Sequence, residues 1–429
     1  MAELTERDMR RNAAMLVLDY GAFQVGATFL GTTTVLPALV LLLGGTPLHV
    51  GALMAIQSGG WLLPQLFAGR QVTNKPRVQR YMLVAAAVSR GAFTLLAPAL
   101  FLFGVHAPAV ALWMLLLAMA GLWVGDAVAS VAWFEVVAKA IPSRMRGRTM
   151  GGAQSLASLI GIGIGGLVKL ILDQPNPFPM NHVLLMALAA ACFWVSELAL
   201  ALIREPVGIG HTNEQPAWSQ FLPRLVTILR TDTRFARVTV VRWLSGFADM
   251  ASAFYVLYAA TRLHIPASTV GLFISAGVAG SFLSGALLGP LGDRRGCSKV
   301  ILASTVFRCL CPALALFSPV VAHIHTWGAT AMLSLVFLAG GIANGANFVG
   351  YQNYTLEIAP PTERATYVGL ANTLSGLLML APLLAGMLLE LTSYESLFVI
   401  CLVLAVLALV AALRVPEPRV QAALAESQP

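Results

Sequence analysis

Runs of about 20 apolar residues follow one another along nearly the whole chain, broken by short clusters of charge, proline and glycine. At about 1.5 Å per helical residue, such a run crosses the about 30 Å hydrocarbon core of a bilayer. The pattern predicts twelve membrane helices, over residues 13–43, 48–68, 81–103, 108–138, 149–172, 182–203, 237–260, 268–289, 299–321, 327–358, 366–390 and 395–413. The widest polar interruption, residues 204–237, separates six helices from six and includes an amphipathic stretch from Trp218 to Leu229. The expected fold is therefore all-α, with N-terminal and C-terminal six-helix bundles over residues 1–203 and 237–429. A cytoplasmic linker at 204–236 joins them, and a short cytoplasmic tail follows the last helix.

The two bundles repeat one another. "IPSRMRGRTMGG" (Ile141–Gly152) aligns without a gap with "APPTERATYVGL" (Ala359–Leu370), so that Pro142, Arg146, Gly151 and Ala153 match Pro360, Arg364, Gly369 and Ala371. Arg90 and Arg308, each in an otherwise apolar segment, stand the same distance apart. Parallel duplication of a six-helix half, with a site near the midplane, is the architecture of one large class of membrane transporters.

Composition agrees with a bilayer location, because 58% of the 429 residues are apolar and 11% charged, against about 45–50% and about 25% in soluble domains. The net charge of +8 is distributed unevenly. When the loops are numbered alternately from the amino terminus, all but Arg90, Lys169, Arg262 and Arg308 of the 27 Lys and Arg residues fall on one side. Basic loops are retained in the cytoplasm, which predicts a multi-pass inner-membrane protein with both termini inside. The charge thus reports topology, and no nucleic-acid partner is expected without a basic soluble domain. The opening "MAELTERDMRRNAAM" runs into a helix without a small-residue cleavage site, so no cleaved leader is expected. Cysteines 192, 297, 309, 311 and 401 form no CxxC pair, which points away from a disulfide framework or a zinc site.

Polar residues inside membrane helices are the candidate chemistry, since lipid does not tolerate them. Helix 10 carries Asn344, Asn347, Tyr351 and then Tyr354 or Thr355 on one face at α-helical spacing. The matching positions of helix 4 include Asp126 and Trp133, with Ser130 nearby. Helix 1 offers Asp19, Tyr20 and Gln24, and helix 7 offers Arg242, Ser245 and Asp249. Asp126 and Arg90 are the deepest ionisable candidates, readable as a proton-coupling pair or as a helix-packing bridge. The repeat mate of Asp126 is Asn344, which cannot ionise, and that asymmetry suits a single proton carrier. Glu135 with Lys139 and Lys169 with Asp173 have the i, i+4 spacing of local ion pairs, and Glu197 has no assigned role.

The loop "GPLGDRRGCSK" (Gly289–Lys299) resembles the cytoplasmic signature G-x-L-small-D-R-x-G-R-[KR] of the major facilitator superfamily, placed between helices 8 and 9. Gly289, Leu291, Gly292, Asp293, Arg294 and Gly296 match it, while Cys297 and Ser298 replace the basic pair. The loop between helices 2 and 3, "GRQVTNKPRVQR", keeps the glycine and the positive charge without the acid. The resemblance implies a cavity lined by helices 1, 4, 7 and 10, with Tyr20, Gln24, Asp126, Ser130, Trp133, Asp249, Asn344, Asn347 and Tyr351 as substrate contacts. It also implies a cytoplasmic latch in which Asp293 reaches the start of helix 5, with Gly289, Arg294, Gly296, Arg146, Arg148 and Arg364 as gating residues. Helices 5 and 11, with "GIGIGG" (Gly161–Gly166) and "APLLAG" (Ala381–Gly386), are similar to the family's antiporter signature. Ile162 at the expected proline, and the missing arginine of helix 4, weigh against drug efflux.

No G-x-x-x-x-G-K-[ST] occurs, so a gradient is expected to supply energy, and no cofactor or metal is called for. The expectation is a monomeric secondary transporter moving a small solute by alternating access, with a proton or sodium as co-ion. Drug/proton antiport and a non-transporting sensor on the same fold are the alternatives. An enzyme is disfavoured, because no His/Glu cluster or Ser/His pair recurs at helical spacing.

Overall fold

The computed structural model describes residues 5–72, 77–141, 143–174, 178–206, 227–324, 327–360 and 364–418. Among these there is no strand. The helices, numbered in chain order, are α1 (Glu6–Leu30), α2 (Val35–Leu42), α3 (Pro47–Val72), α4 (Gln79–Thr94), α5 (Leu96–Phe103), α6 (Pro108–Ala140), α7 (Ser143–Asp173) and α8 (Met180–Leu202). They continue with α9 (Thr233–Ala248), α10 (Phe254–Thr261), α11 (Val270–Arg295), α12 (Cys297–Ile324), α13 (Gly328–Ala346), α14 (Asn353–Ile358), α15 (Arg364–Gly376), α16 (Ala381–Leu391) and α17 (Tyr394–Ala412).

Ten stretches among the described residues are long and apolar enough to cross a membrane. Predicted helices 2 and 7 are the two that fall outside this set. The first is α3, diluted by His49, Gln57, Ser58 and Gln65; the second is α9 and α10, separated by a 3-10 turn at Asp249–Ala251. All twelve predicted segments are helical, consistent with a twelve-span protein. Several are interrupted where periodicity predicts one continuous helix: α1 stops at Gly31, α4 gives way to α5 at Leu95, and a π-helical segment at Asn347–Gln352 lies between α13 and α14. Apolar side chains cover the outside, with Leu117 70% and Leu391 83% exposed. Surfaces of that kind suit lipid and not water.

The chain packs as two units, residues 1–214 with Pro266–Ser275 and residues 215–265 with 276–429. In the first, α1 packs on α7 and α8, α4 on α6 and α8, and α3 on α6. Leu16, Met82, Ala86, Ala132, Val136 and Leu200 form part of its core. The second unit pairs its equivalent helices in the same way, with α9 on α17, α12 on α13 and α12 on α17. The segment 266–275 joins the first unit through α7, where Ser275 donates to the Ile162 carbonyl at 2.8 Å. Gly165 makes that approach possible: a Cβ there would stand 2.6 Å from the Gly271 carbonyl oxygen and 2.7 Å from the Ser275 nitrogen. The i, i+4 pairs Lys139–Glu135 and Lys169–Asp173 form, at 3.1 and 2.6 Å.

A glutamate closes each unit in the same place. The backbone N–H groups of Val78 and Gln79, at the start of α4, donate to the Glu205 carboxylate at 2.8–3.0 Å. In the second unit Ser298, at the start of α12, donates to Glu417 through its backbone N–H at 3.0 Å and its hydroxyl at 2.6 Å. Each acid follows the last helix of its unit and meets the free N–H groups, and the positive dipole end, that open the third. Lys139 adds an ion pair to Glu205 at 3.4 Å.

Candidate functional site

The first unit holds a cavity of about 580 Å³. Helical periodicity explains its walls. On α1, Asp19, Tyr20, Phe23, Gln24 and Ala27 fall on one face; on α6, Trp123, Asp126, Ser130 and Trp133 follow at intervals of three and four. Gln57, Ser58 and Trp61 come from α3, and Met82, Ala86 and Arg90 from α4. Every first-unit residue predicted to contact substrate or carry the proton, namely Tyr20, Gln24, Arg90, Asp126, Ser130 and Trp133, therefore lines one space. Phe23, Gln57, Ser58, Trp61, Trp123 and Phe134 join them without having been singled out by the sequence. Gln57 and Ser58, adjacent polar residues inside an apolar run, are a readable signal; the aromatic residues are not, because aromatic side chains serve equally well as core.

Arg90 is 3% exposed and fully engaged within its unit. It donates to the Phe193 carbonyl at 2.7 Å and to Ser196 Oγ at 3.0 Å, and its Nη1 lies 2.8 Å from Glu197 Oε2. That last contact is ionic, without the alignment of a hydrogen bond. Ser196 in turn donates to Asp19 at 2.6 Å, and Trp133 Nε1 donates to the other Asp19 oxygen at 2.8 Å. The bridge that the sequence allows between Arg90 and Asp126 is thus made with Glu197 instead. Asp126, 9% exposed, has no hydrogen-bond or ion-pair partner among the described residues. Three carboxylates, Asp19, Asp126 and Glu197, consequently share one guanidinium. The indole N–H of Trp123 is buried and also lacks a hydrogen-bond partner.

The remaining polar wall residues are partly bound to each other. Tyr20 donates to Gln154, Gln24 Nε2 lies 3.4 Å from the Tyr20 oxygen, and Ser130 donates to the Ala127 carbonyl at 2.8 Å.

The second unit uses its equivalent residues differently. Arg308 is 4% exposed, forms an ion pair with Asp249, and donates to the Ser245 carbonyl at 3.5 Å and to Asn344 Oδ1 at 3.4 Å. Tyr351 is 2% exposed, 3.2 Å from Ser245 Oγ, with the Arg242 guanidinium 5.9 Å from its ring centre. The cleft beside it measures about 10 Å³, room for a single water at most. Asn344 is exposed whereas Tyr351, Tyr354 and Thr355 are buried. The predicted stripe on helix 10 therefore does not form one open face. The π-helical segment at Asn347–Gln352 is the reason, since its wider turn shifts every later side chain off the α-helical register.

Of the predicted gating residues, Gly289 meets no atom of the described residues within 4 Å of where a Cβ would stand, and Arg294 is exposed. Gly296 makes the tight turn between α11 and α12 at φ +88°, and a Cβ on it would collide with the Glu417 carboxylate. The side chains of Asp293, Arg146, Arg148, Arg364 and Asn347 lie outside the described residues.

Residues 238–429 match the family model of the Major Facilitator Superfamily. A stretch of 85 residues is 33% identical to the ectoine/proline transporter ProP of Corynebacterium glutamicum. It covers 20% of this chain and 17% of the transporter, under a fifth of that relative's length. The whole fold is similar to the crystal structure of nucleoside transporter NupG, with a TM-score of 0.62 and 15% identity over 95% of this chain and 97% of the other. It is also similar to peptide transporter POT in complex with sulfate (TM-score 0.68, 12% identity, 94% of each chain). A bacterial homologue of the iron transporter ferroportin in an inward-facing state gives a TM-score of 0.66 at 15% identity, over 95% and 98% of the two chains. At these identities the likeness is one of fold.

Proposed function

We propose that this chain, a membrane transporter by its Major Facilitator Superfamily match and by its fold, is a secondary active carrier that couples a small solute to protons by alternating access. The observation that carries this reading is Asp126 on the wall of the first-unit cavity, without a hydrogen-bond or ion-pair partner among the described residues. An ionised carboxylate in a membrane interior without a partner is costly, about 2.5–3.5 kcal/mol on insertion scales, and marks an ion or substrate path. With Arg90 already bound to Glu197, Asp126 is the acid whose charge is free to change. Protonation removes one negative charge from the cavity wall, and deprotonation restores it, so solute and proton can be exchanged at one place. Both termini are then cytoplasmic, as the basic loops require. The relative named for ectoine and proline makes small zwitterions the first solutes to try.

Proteoliposomes loaded with radiolabelled proline or ectoine test the coupling. In Asp126→Asn, accumulation driven by a proton gradient should vanish at every solute concentration, while exchange between equal compartments, which needs no net proton movement, should persist once the solute is raised to saturation. Loss of exchange at saturating solute as well, with fold and yield preserved, would end the proton-coupling reading.

A further inference from the structure

The walls of the first-unit cavity combine an unpartnered acid, aromatic rings and an unpartnered N–H donor. Asp126 and Trp123, three residues apart on α6, lie on the same helix face, and both line the cavity at 9% exposure. Neither has a hydrogen-bond partner among the described residues. Trp61 stands edge to face with Trp123, ring centres 6.3 Å apart, and Trp133 stands against Phe134 at 5.1 Å. All four rings belong to the lining.

The charges are one-sided. Among the described residues Arg90 is the only cationic side chain in the lining, and Glu197, Ser196 and the Phe193 carbonyl already engage its guanidinium. An anionic solute would meet no free cation there and would face Asp19 and Asp126. A cationic one would gain a carboxylate and several ring faces, whose quadrupoles attract cations most strongly when water is excluded. The buried Trp123 N–H adds a requirement, since a donor left unbonded costs free energy that an acceptor on the solute recovers. At about 580 Å³ the space is of the usual size for a small organic ligand.

We infer that the cavity binds an organic ammonium solute, its cationic nitrogen set between Asp126 and the aromatic walls, with a hydrogen-bond acceptor against the Trp123 N–H. The inference deepens the transporter reading by naming the class of solute, and it rests on that reading only for the claim that the bound solute is carried.

Binding to the purified full chain, measured by titration calorimetry without any gradient, tests it. Three probes share one aromatic group: benzyltrimethylammonium is a cation, N,N,N-trimethylphenylalanine adds a carboxylate acceptor, and phenylpropionate is an anion. Both ammonium probes should bind, the one with the acceptor more tightly, and phenylpropionate should bind at least about tenfold more weakly, the factor that about 1.4 kcal/mol of cation–π and charge attraction gives. Asp126→Asn should weaken both ammonium probes by about tenfold or more, and Asp126→Glu should keep most of the affinity. Trp123→Phe should weaken the carboxylate-bearing probe alone, because it removes the N–H and keeps a ring. Equal affinity for all three probes, preference for the anion, or indifference to Asp126→Asn in a folded variant would overturn the proposal. Cation binding without gradient-driven accumulation would leave it standing and remove the coupled-transport reading. Accumulation of solute with no preference for ammonium would do the reverse.

Discussion

Arg90→Met removes the cation of a cluster that otherwise holds, among the described residues, the carboxylates of Asp19, Asp126 and Glu197. The side chain is 3% exposed, with a 2.8 Å contact to Glu197 and donated bonds to Phe193 and Ser196. Breaking a buried ion pair from one side costs about 3–5 kcal/mol, most of it the penalty of leaving the partner charged and alone. The two further bonds would add about 0.5–1.5 kcal/mol each if their partners stayed dry. An expected loss of about 4 kcal/mol is therefore a large share of the about 5–15 kcal/mol that holds a protein domain together. Glu197→Gln placed in the same molecule removes the stranded charge and should recover about half of that loss, since Asp19 and Asp126 remain. Unfolding in mixed micelles, titrated with sodium dodecyl sulfate and followed by near-ultraviolet circular dichroism, gives the free energies of both single variants and the double. A loss below about 1 kcal/mol for Arg90→Met, or a double variant that loses the sum of the two singles, would refute the idea that this pair is a tightly coupled internal lock.

Gly165→Ala should lower the unfolding free energy by about 1–3 kcal/mol, because the new methyl meets backbone atoms of Gly271 and Ser275 that cannot move aside. Gly163→Ala, two residues away and facing open space, should be neutral or slightly stabilising in the same thermal unfolding measurement, and equal effects at both positions would contradict the close approach. Glu205→Gln should cost about 1–2 kcal/mol through loss of charge-assisted bonds to Val78 and Gln79. Hydrogen exchange should then quicken in the first turn of α4 and stay unchanged in the middle of the helix.

Apolar run length is a strong guide to the ten stretches long and apolar enough to span, because a bilayer demands about the same number of residues from each, and the two further predicted segments are helical without meeting that measure. The repeat brought Arg90 and Arg308 to notice, since a charge in an apolar run stands out and its recurrence stands out further. Their partners were not legible in the same way. Glu197 was visible as an intramembrane acid, yet nothing in its neighbours tells which of Asp126, Asp19 and Glu197 lies nearest the guanidinium, a question of helix rotation. Glu205 and Glu417 escaped for a different reason: they are 212 positions apart rather than 218, so an ungapped alignment passes over them. On α3, Gln57 and Ser58 are readable as buried polarity, but the family resemblance points to helices 1, 4, 7 and 10 alone. The stripe on helix 10 failed because spacing arguments assume 3.6 residues per turn, about which the chain gives no warning at Asn347–Gln352.

The glutamate that closes the second unit has a practical meaning for anyone shortening or fusing the chain. Pro416 accepts a hydrogen bond from Tyr354 at 2.9 Å, and Glu417 fills the space that Gly296 leaves open while holding Ser298. The usual rule of trimming to the last membrane helix would cut at Ala412 and discard both contacts. A reporter or affinity tag attached beyond Pro418 keeps them, so the working boundary for expression lies six residues past the helix that hydropathy alone would choose.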